Sequence, residues 1–143
     1  MVFQLLYVSG AARALGDEEI RAILDASRRN NARLGVTGML LHADGAFIQL
    51  LEGTEASVRA LVRKIQTDPR HRNFMVMMER QAAGRSFGEW QMGFKALSPS
   101  VAEHRHAFKL SRAALENRIS AADGGLVLDT VLAFAGREFL GAA

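Results

Sequence analysis

Cysteine is absent from the chain, which excludes disulfides, thiolate metal sites and a cysteine nucleophile. Long apolar runs are missing too. No stretch approaches the roughly 18–20 consecutive apolar residues of a membrane span, and the N-terminus lacks the charged-then-apolar pattern of a signal peptide. The expected compartment is the cytoplasm. No glycine-rich phosphate loop follows a strand, because Gly10 is isolated and Gly53 precedes a threonine. No Ser-His-Asp order is distinctive enough to argue a hydrolase. His104 and His106 stand two apart on an expected helix and point to different faces, and His42 reads as a strand-end residue, so no metal site is expected.

What remains is an ordinary globular composition. The 143 residues suffice for one domain with a proper core, and 49% are hydrophobic against 23% charged. The net charge is only +3. The basic residues are scattered, and Arg28-Arg29 and Arg63-Lys64 fit solvated helix edges, without the one-sided basic face and interleaved aromatics of a nucleic-acid binder. No nucleic-acid or membrane partner is expected.

Phe3 to Ser9 (FQLLYVS) is a short apolar run closed by Gly10, the pattern of a buried strand. From Asp17 to about Asn30 the period changes. Ile20, Ile23, Leu24 and Ser27 stand at i, i+3, i+4 and i+7, so one stripe of a helix faces the core. Asp17 is the expected N-cap, and Gly35 stops the helix region. Val36 to His42 and Ala46 to Glu52 are two strands around Asp44-Gly45, a hairpin signal. A second helix is expected from about Glu55 to Thr67, with Val58, Leu61, Val62 and Ile65 on one stripe. Phe74 to Met78 reads as a fourth strand, and Phe87 to Phe94 as the location of a fifth, since large side chains alternate there with small or polar ones.

The order β-α-β-β-α-β plus one strand predicts an α+β fold, a ferredoxin-like sheet with two helices on one face. After Pro99 the chain turns helical, from Val101 to Asn117 and from Leu126 to about Phe139. These helices are expected on the sheet face that the first two leave bare, because an exposed apolar face is costly. The division expected is 1–96 for the sheet domain and 97–143 for a helical extension packing on it.

The buried polar residues are more informative. Tyr7 is the only tyrosine and shares a strand face with Leu5 and Ser9; Gln49 shares one with Phe47 and Leu51. A buried amide without partners costs roughly 1–3 kcal/mol, so Gln49 must be bonded. Alone, the two residues read as a Tyr–Gln bond in an ordinary core. Asn30-Asn31 reads as a helix C-cap, which explains one asparagine better than two. Several amides converging near strand ends would suit a planar heterocycle with imide edges, a flavin or a pyrimidine. Asp68-Pro69-Arg70-His71 reads as a loop closing the second helix, and Trp90 and Met92 as core residues on one face of the last strand.

Taken together, the strings LLYVS, RRNN followed by GVTGMLL, FIQLLEG, DPRH and RSFGEWQMGF resemble the BLUF domains, sensors of blue light using flavin. The five motifs stand in the family's order and cover about residues 3 to 96. The resemblance implies a flavin, FAD in preference to FMN, between the two helices with its ring edge toward the sheet. Tyr7 and Gln49 take the positions of the photoactive pair. Asn30 and Asn31 match the amides that hold the ring, and Ile23, Phe47 and Ile65 the apolar residues that line it. Lys64, Arg70 and His71 match positions near the ring or the ribityl-phosphate tail. Trp90 and Met92 match the pair that passes the signal to the last strand.

The resemblance further implies a switch and not an enzyme. Light draws an electron and then a proton from Tyr7, Gln49 rotates or tautomerises, and electron and proton return. The last strand and the C-terminal helices are the element left to carry the change to a downstream signalling protein, with self-association into a homo-oligomer expected. Two other readings fit the fold, a small ferredoxin-like enzyme and a ligand-free interaction module. Neither gives a reason for Tyr7, Gln49 and the paired asparagines together.

Overall fold

A computed structural model describes residues 1–11, 15–43, 45–88, 92–97, 100–101, 104–115 and 121–141. The first unit is β1 (Val2–Ala11), α1 (Asp17–Leu34) and the hairpin β2 (Thr37–Ala43) and β3 (Ala46–Gly53). It is followed by α2 (Glu55–Gln66), β4 (His71–Ala82) and β5 (Gly93–Ala96). Two further helices, α3 (Arg105–Leu115) and α4 (Gly124–Gly141), close the chain, with a single 3-10 turn at Ala121–Asp123 before the second.

The strand order is β4-β1-β3-β2-β5. β1 lies between β3 and β4 and is antiparallel to both; β2 is antiparallel to β3 and parallel to β5. This is the ferredoxin-like arrangement expected from the element order, with one strand added at the β2 edge.

Alternation along the strands divides the core in two. Phe3, Leu5 and Tyr7 of β1 pack with Leu24 of α1 and Val58, Leu61 and Val62 of α2. Leu6 and Val8 turn to the other face, against Ala107 of α3 and Val127, Leu128 and Val131 of α4. The central strands are therefore apolar on both sides, which is why β1 and β3 read as continuous rather than alternating runs. Gly124 seats α4 on the sheet: a Cβ there would stand 2.2 Å from the Met77 carbonyl oxygen.

Several boundaries differ from the sequence reading. α1 runs one turn past Asn30 to Leu34, so Asn30 and Asn31 are helical rather than capping. Nothing between Asn31 and Leu34 breaks the helix, and Gly35 is the first residue able to take the left-handed conformation cheaply (φ 68°). At the other end Gly16 occupies the cap position and Asp17 opens the first turn. β4 extends well beyond Phe74 to Met78, because β1 pairs with it from Ala11 back to Val2. Its charged residues cost nothing on a sheet edge. The fifth strand is not where the alternation placed it. It begins at Gly93, opposite Met39, and Phe87, Gly88 and Met92 lie outside it. The amides of Ser86 and Phe87 bond to the Glu52 carboxylate instead of a neighbouring strand. Trp90 lies outside the described residues. α3 starts at Arg105, four residues later than expected, and His71 opens β4 rather than ending α2. Among the described residues, no helix is long and apolar enough to cross a membrane.

Candidate functional site

β1 and β3 pair in a register that sets Tyr7 directly opposite Gln49. Both side chains are almost fully buried, at 1% and 3% exposure, so each must satisfy its polar atoms internally. The Tyr7 hydroxyl donates to Gln49 Oε1, and Gln49 Nε2 donates to Met92 Sδ at 3.1 Å. A thioether sulfur only accepts, so the Met92 contact turns the amide nitrogen toward itself and leaves Oε1 for the phenol. Met92 is thus part of the Gln49 network although it precedes β5 rather than lying on it. The Tyr7 ring also stacks on Phe74 of β4, with centroids 4.4 Å apart. Burial, with a lesser contribution from Asp68, pushes the Tyr7 phenol well above its usual range. It therefore stays protonated at any working pH.

Above this pair, between α1, α2 and the sheet, is a cavity of about 300 Å³. Tyr7, Gln49 and Phe47 form its floor, and Leu40 and Leu51 flank them. Ile23, Ser27, Asn30 and Asn31 line it from α1; Lys64 and Ile65 line it from α2; Asp68, Arg70 and His71 stand beyond the end of α2. Every residue that the family resemblance placed near the flavin is on this wall. The fold brings them together because α1 and α2 cross the same sheet face.

Three groups on or beside the wall were not singled out from sequence. Ser27 was the one polar residue on the expected apolar stripe of α1, and that irregularity was its signal. Ser9 Oγ lies 2.9 Å from His71 Nδ1 and fixes the imidazole, whose ring is 5.2 Å from that of Phe47. Arg28, read as a solvated helix edge, donates from Nε to the Met92 carbonyl oxygen at 3.2 Å. No sequence pattern could have paired it with Met92.

Charge at the cavity is organised by Arg70, whose Nη2 reaches Asp68 Oδ2 at 2.6 Å. Those bonds hold the Asp68 carboxyl below its ordinary value, against the opposing effect of partial burial. His71 is shifted down mainly by burial, which Asp68 opposes and Arg70 assists. Both shifts make acid destabilising. Below about pH 6.5 the unfolded chain gains a proton on His71 that the folded chain resists, so stability falls until the folded imidazole also protonates. Asp68 contributes fully above its ordinary value of 3.8, and this contribution is lost as pH falls through its lower folded value. The thermal midpoint should therefore decline in two stages between pH 8 and 3. In His71→Gln the upper stage should disappear, and its persistence there would assign it to another group.

The cavity's size lies at the lower end of small-molecule sites, roughly 300–1,000 Å³. It suits a fused planar ring and not a whole dinucleotide. Asn31, at 2% exposure, offers amide donors and an acceptor to such a ring's polar edge, and Ile23, Phe47 and Ile65 offer apolar surface. Lys64 and Arg70 supply positive charge toward an anionic tail. The residues present fit a flavin.

Fold and site together define an α+β ligand-binding domain whose only tyrosine is hydrogen-bonded, through an amide, at the floor of a ring-sized cavity. The chain belongs to the BLUF family, sensors of blue light using FAD, whose model matches residues 2–93. It is 35% identical over 89 residues to the photoactivated adenylate cyclase subunit beta of Euglena longa, covering 62% of this chain and 10% of that protein. Identity is again 35% over 89 residues to the blue light- and temperature-regulated antirepressor BluF of Escherichia coli, covering 62% of this chain and 22% of the other. The chain thus spans only a small part of these relatives. Among solved structures, the BLUF protein BlrB in its dark state superposes with a TM-score of 0.71 at 28% identity, covering 92% of this chain and 96% of that one. The ground state of BlsA gives 0.74 at 28% identity, covering 92% and 88%. The readings as a ferredoxin-like enzyme and as a ligand-free module give way to this family.

Proposed function

We propose that this chain is a blue-light switch in which Tyr7 is the electron and proton donor, Gln49 the proton relay and Met92 the first group to sense the change. The observation that carries the reading is the buried chain from the Tyr7 hydroxyl through the Gln49 amide to Met92 Sδ on the cavity floor. A bound flavin would supply the blue-light absorption and, once excited, the acceptor for one electron. Tyr7 gives up an electron, and its hydroxyl, made far more acidic by that loss, passes its proton to Gln49 Oε1. Gln49 rotates or tautomerises, and its bond to Met92 Sδ breaks. Electron and proton then return to Tyr7, so oxidation states are restored and no bond between heavy atoms is changed; what differs is the hydrogen-bond pattern around Gln49. Purified protein loaded with FAD should show a red-shifted absorption band after blue light that reverts in the dark. A spectrum unaffected by light would overturn the reading.

Residues 1–96 act as the flavin domain and 97–143 as the extension that covers the opposite sheet face. The output is a conformational bias on β5, α3 and α4, read by a downstream signalling protein in the cytoplasm or by a second copy of the chain. Met suits the first step, since its flexible thioether repacks at low cost. Met92→Ala should therefore keep the spectral shift but weaken the light-dependent change in hydrogen exchange over residues 93–143. Equal changes in wild type and variant would make Met92 a packing residue only.

A further inference from the structure

Outside the cavity, one buried acid carries four hydrogen bonds. Glu52, three residues beyond Gln49 on β3, is 0% exposed, and alternation turns it to the opposite sheet face, away from the cavity. It pairs in register with Gln4 of β1 and Thr37 of β2. Its two oxygens accept four hydrogen bonds. Oε2 receives Gln4 Nε2 and the Ser86 amide, each at 2.8 Å. Oε1 receives the Thr37 hydroxyl at 2.9 Å and the Phe87 amide at 2.7 Å. Arg85 closes over this cluster. Its Nη1 donates to Thr37 Oγ1 at 2.8 Å and to the Glu52 carbonyl at 3.2 Å, and its Nη2 to the Gly35 carbonyl at 2.8 Å.

A buried carboxylate is costly unless its oxygens are satisfied, and here two of the four donors are consecutive backbone amides outside any strand. The cluster thereby fixes Ser86 and Phe87, and Met92 follows Phe87 by only a short length of chain. At the other end Met92 is held by Gln49 Nε2 on its sulfur and by Arg28 on its carbonyl. Phe87 and Met92 are therefore each tied to β3, by Glu52 on one sheet face and Gln49 on the other.

We propose that Glu52 is a positioning residue of the switch: it fixes the start of this segment so that Met92 is presented to Gln49 in the dark arrangement. The inference rests on the photoswitch reading above. When the Gln49–Met92 bond breaks, the Glu52 anchor stays in place and draws Met92 back.

Glu52→Gln tests it. A glutamine keeps the shape but offers one acceptor oxygen and one amide donor, so two of the four donors face another donor. The variant loaded with FAD should still show the reversible red shift. In the dark, its amides at residues 86 and 87 should lose hydrogen-exchange protection, and its lit state should decay several-fold more slowly than wild type. Thr37→Val, which removes one of the four donors to the carboxylate and the hydroxyl that accepts from Arg85, should shift the decay in the same direction by less, and it decides the matter should Glu52→Gln not fold. Val58→Ala, a buried truncation on α2 that removes no hydrogen bond of either network, should lower the thermal midpoint and leave the decay rate unchanged. Wild-type decay in Glu52→Gln and Thr37→Val, or an equal slowing in Val58→Ala, would reduce Glu52 to a structural acid. A wild-type protein with no light response at all would instead overturn the photoswitch reading itself.

Discussion

Tyr7→Phe is expected to abolish the reversible blue-light shift while leaving the fold and flavin binding in place. The phenylalanine keeps the ring that stacks on Phe74 at 4.4 Å and fills the same buried volume. What it removes is the hydroxyl that donates to Gln49 Oε1. Without that group the chain has no tyrosine at all, since Tyr7 is its only one, so no phenol remains to supply an electron and a proton at the cavity. The Gln49 carbonyl is left buried without its donor, at a cost of about 1–3 kcal/mol. That lowers the thermal midpoint by several degrees but is small against the stability of a domain this size. The measurement is an absorption spectrum of the flavin-loaded variant before and after illumination. A red shift of normal size and lifetime would remove Tyr7 from the mechanism.

Asn31→Ala is expected to weaken flavin binding by about tenfold or more with no loss of helix. Asn31 is 2% exposed in the last turn of α1 and faces the cavity. Each hydrogen bond from its side chain to a ring's polar edge is worth about 0.5–1.5 kcal/mol, and every 1.4 kcal/mol is a factor of ten in affinity. Alanine is the better helix former, and the cap at Gly35 bonds to the backbone carbonyl of Asn31, not to its side chain. Far-ultraviolet circular dichroism should therefore stay native while titration of the apoprotein with FAD shows the loss. Unchanged affinity would return Asn31 to a packing role.

The two variants differ in how they could have been foreseen. Tyr7 and Gln49 stood out as polar side chains inside apolar strands, and a buried polar group demands a partner whatever the fold. Asn31 did not stand out alone, because an asparagine near a helix end has a local explanation as a cap. Only the extra helical turn to Leu34 removed that explanation and turned the amide inward. Lys64, Arg70 and His71 were placed near the flavin by resemblance, since nothing in their own spacing sets the end of α2 and the start of β4 beside a turn of α1.

The sequence by itself determined the elements that depend on neighbours along the chain. The strands and helices through α2, the hairpin, the stop at Gly35 and the partition of polar and apolar faces all follow from local periodicity, capping and turn chemistry. The family strings added the cofactor and the photoactive pair. Tertiary structure decided what depends on groups far apart in sequence. It set the late start of β5, because Glu52 takes the Phe87 amide that alternation had assigned to a strand, together with that of Ser86. It gave Gln49 its orientation, because Met92 sulfur can only accept. It also joined Arg28 to Met92 and Ser9 to His71. Periodicity along a chain reports which face a side chain occupies; which partner waits there is fixed only when the sheet order brings separate strands and loops into contact.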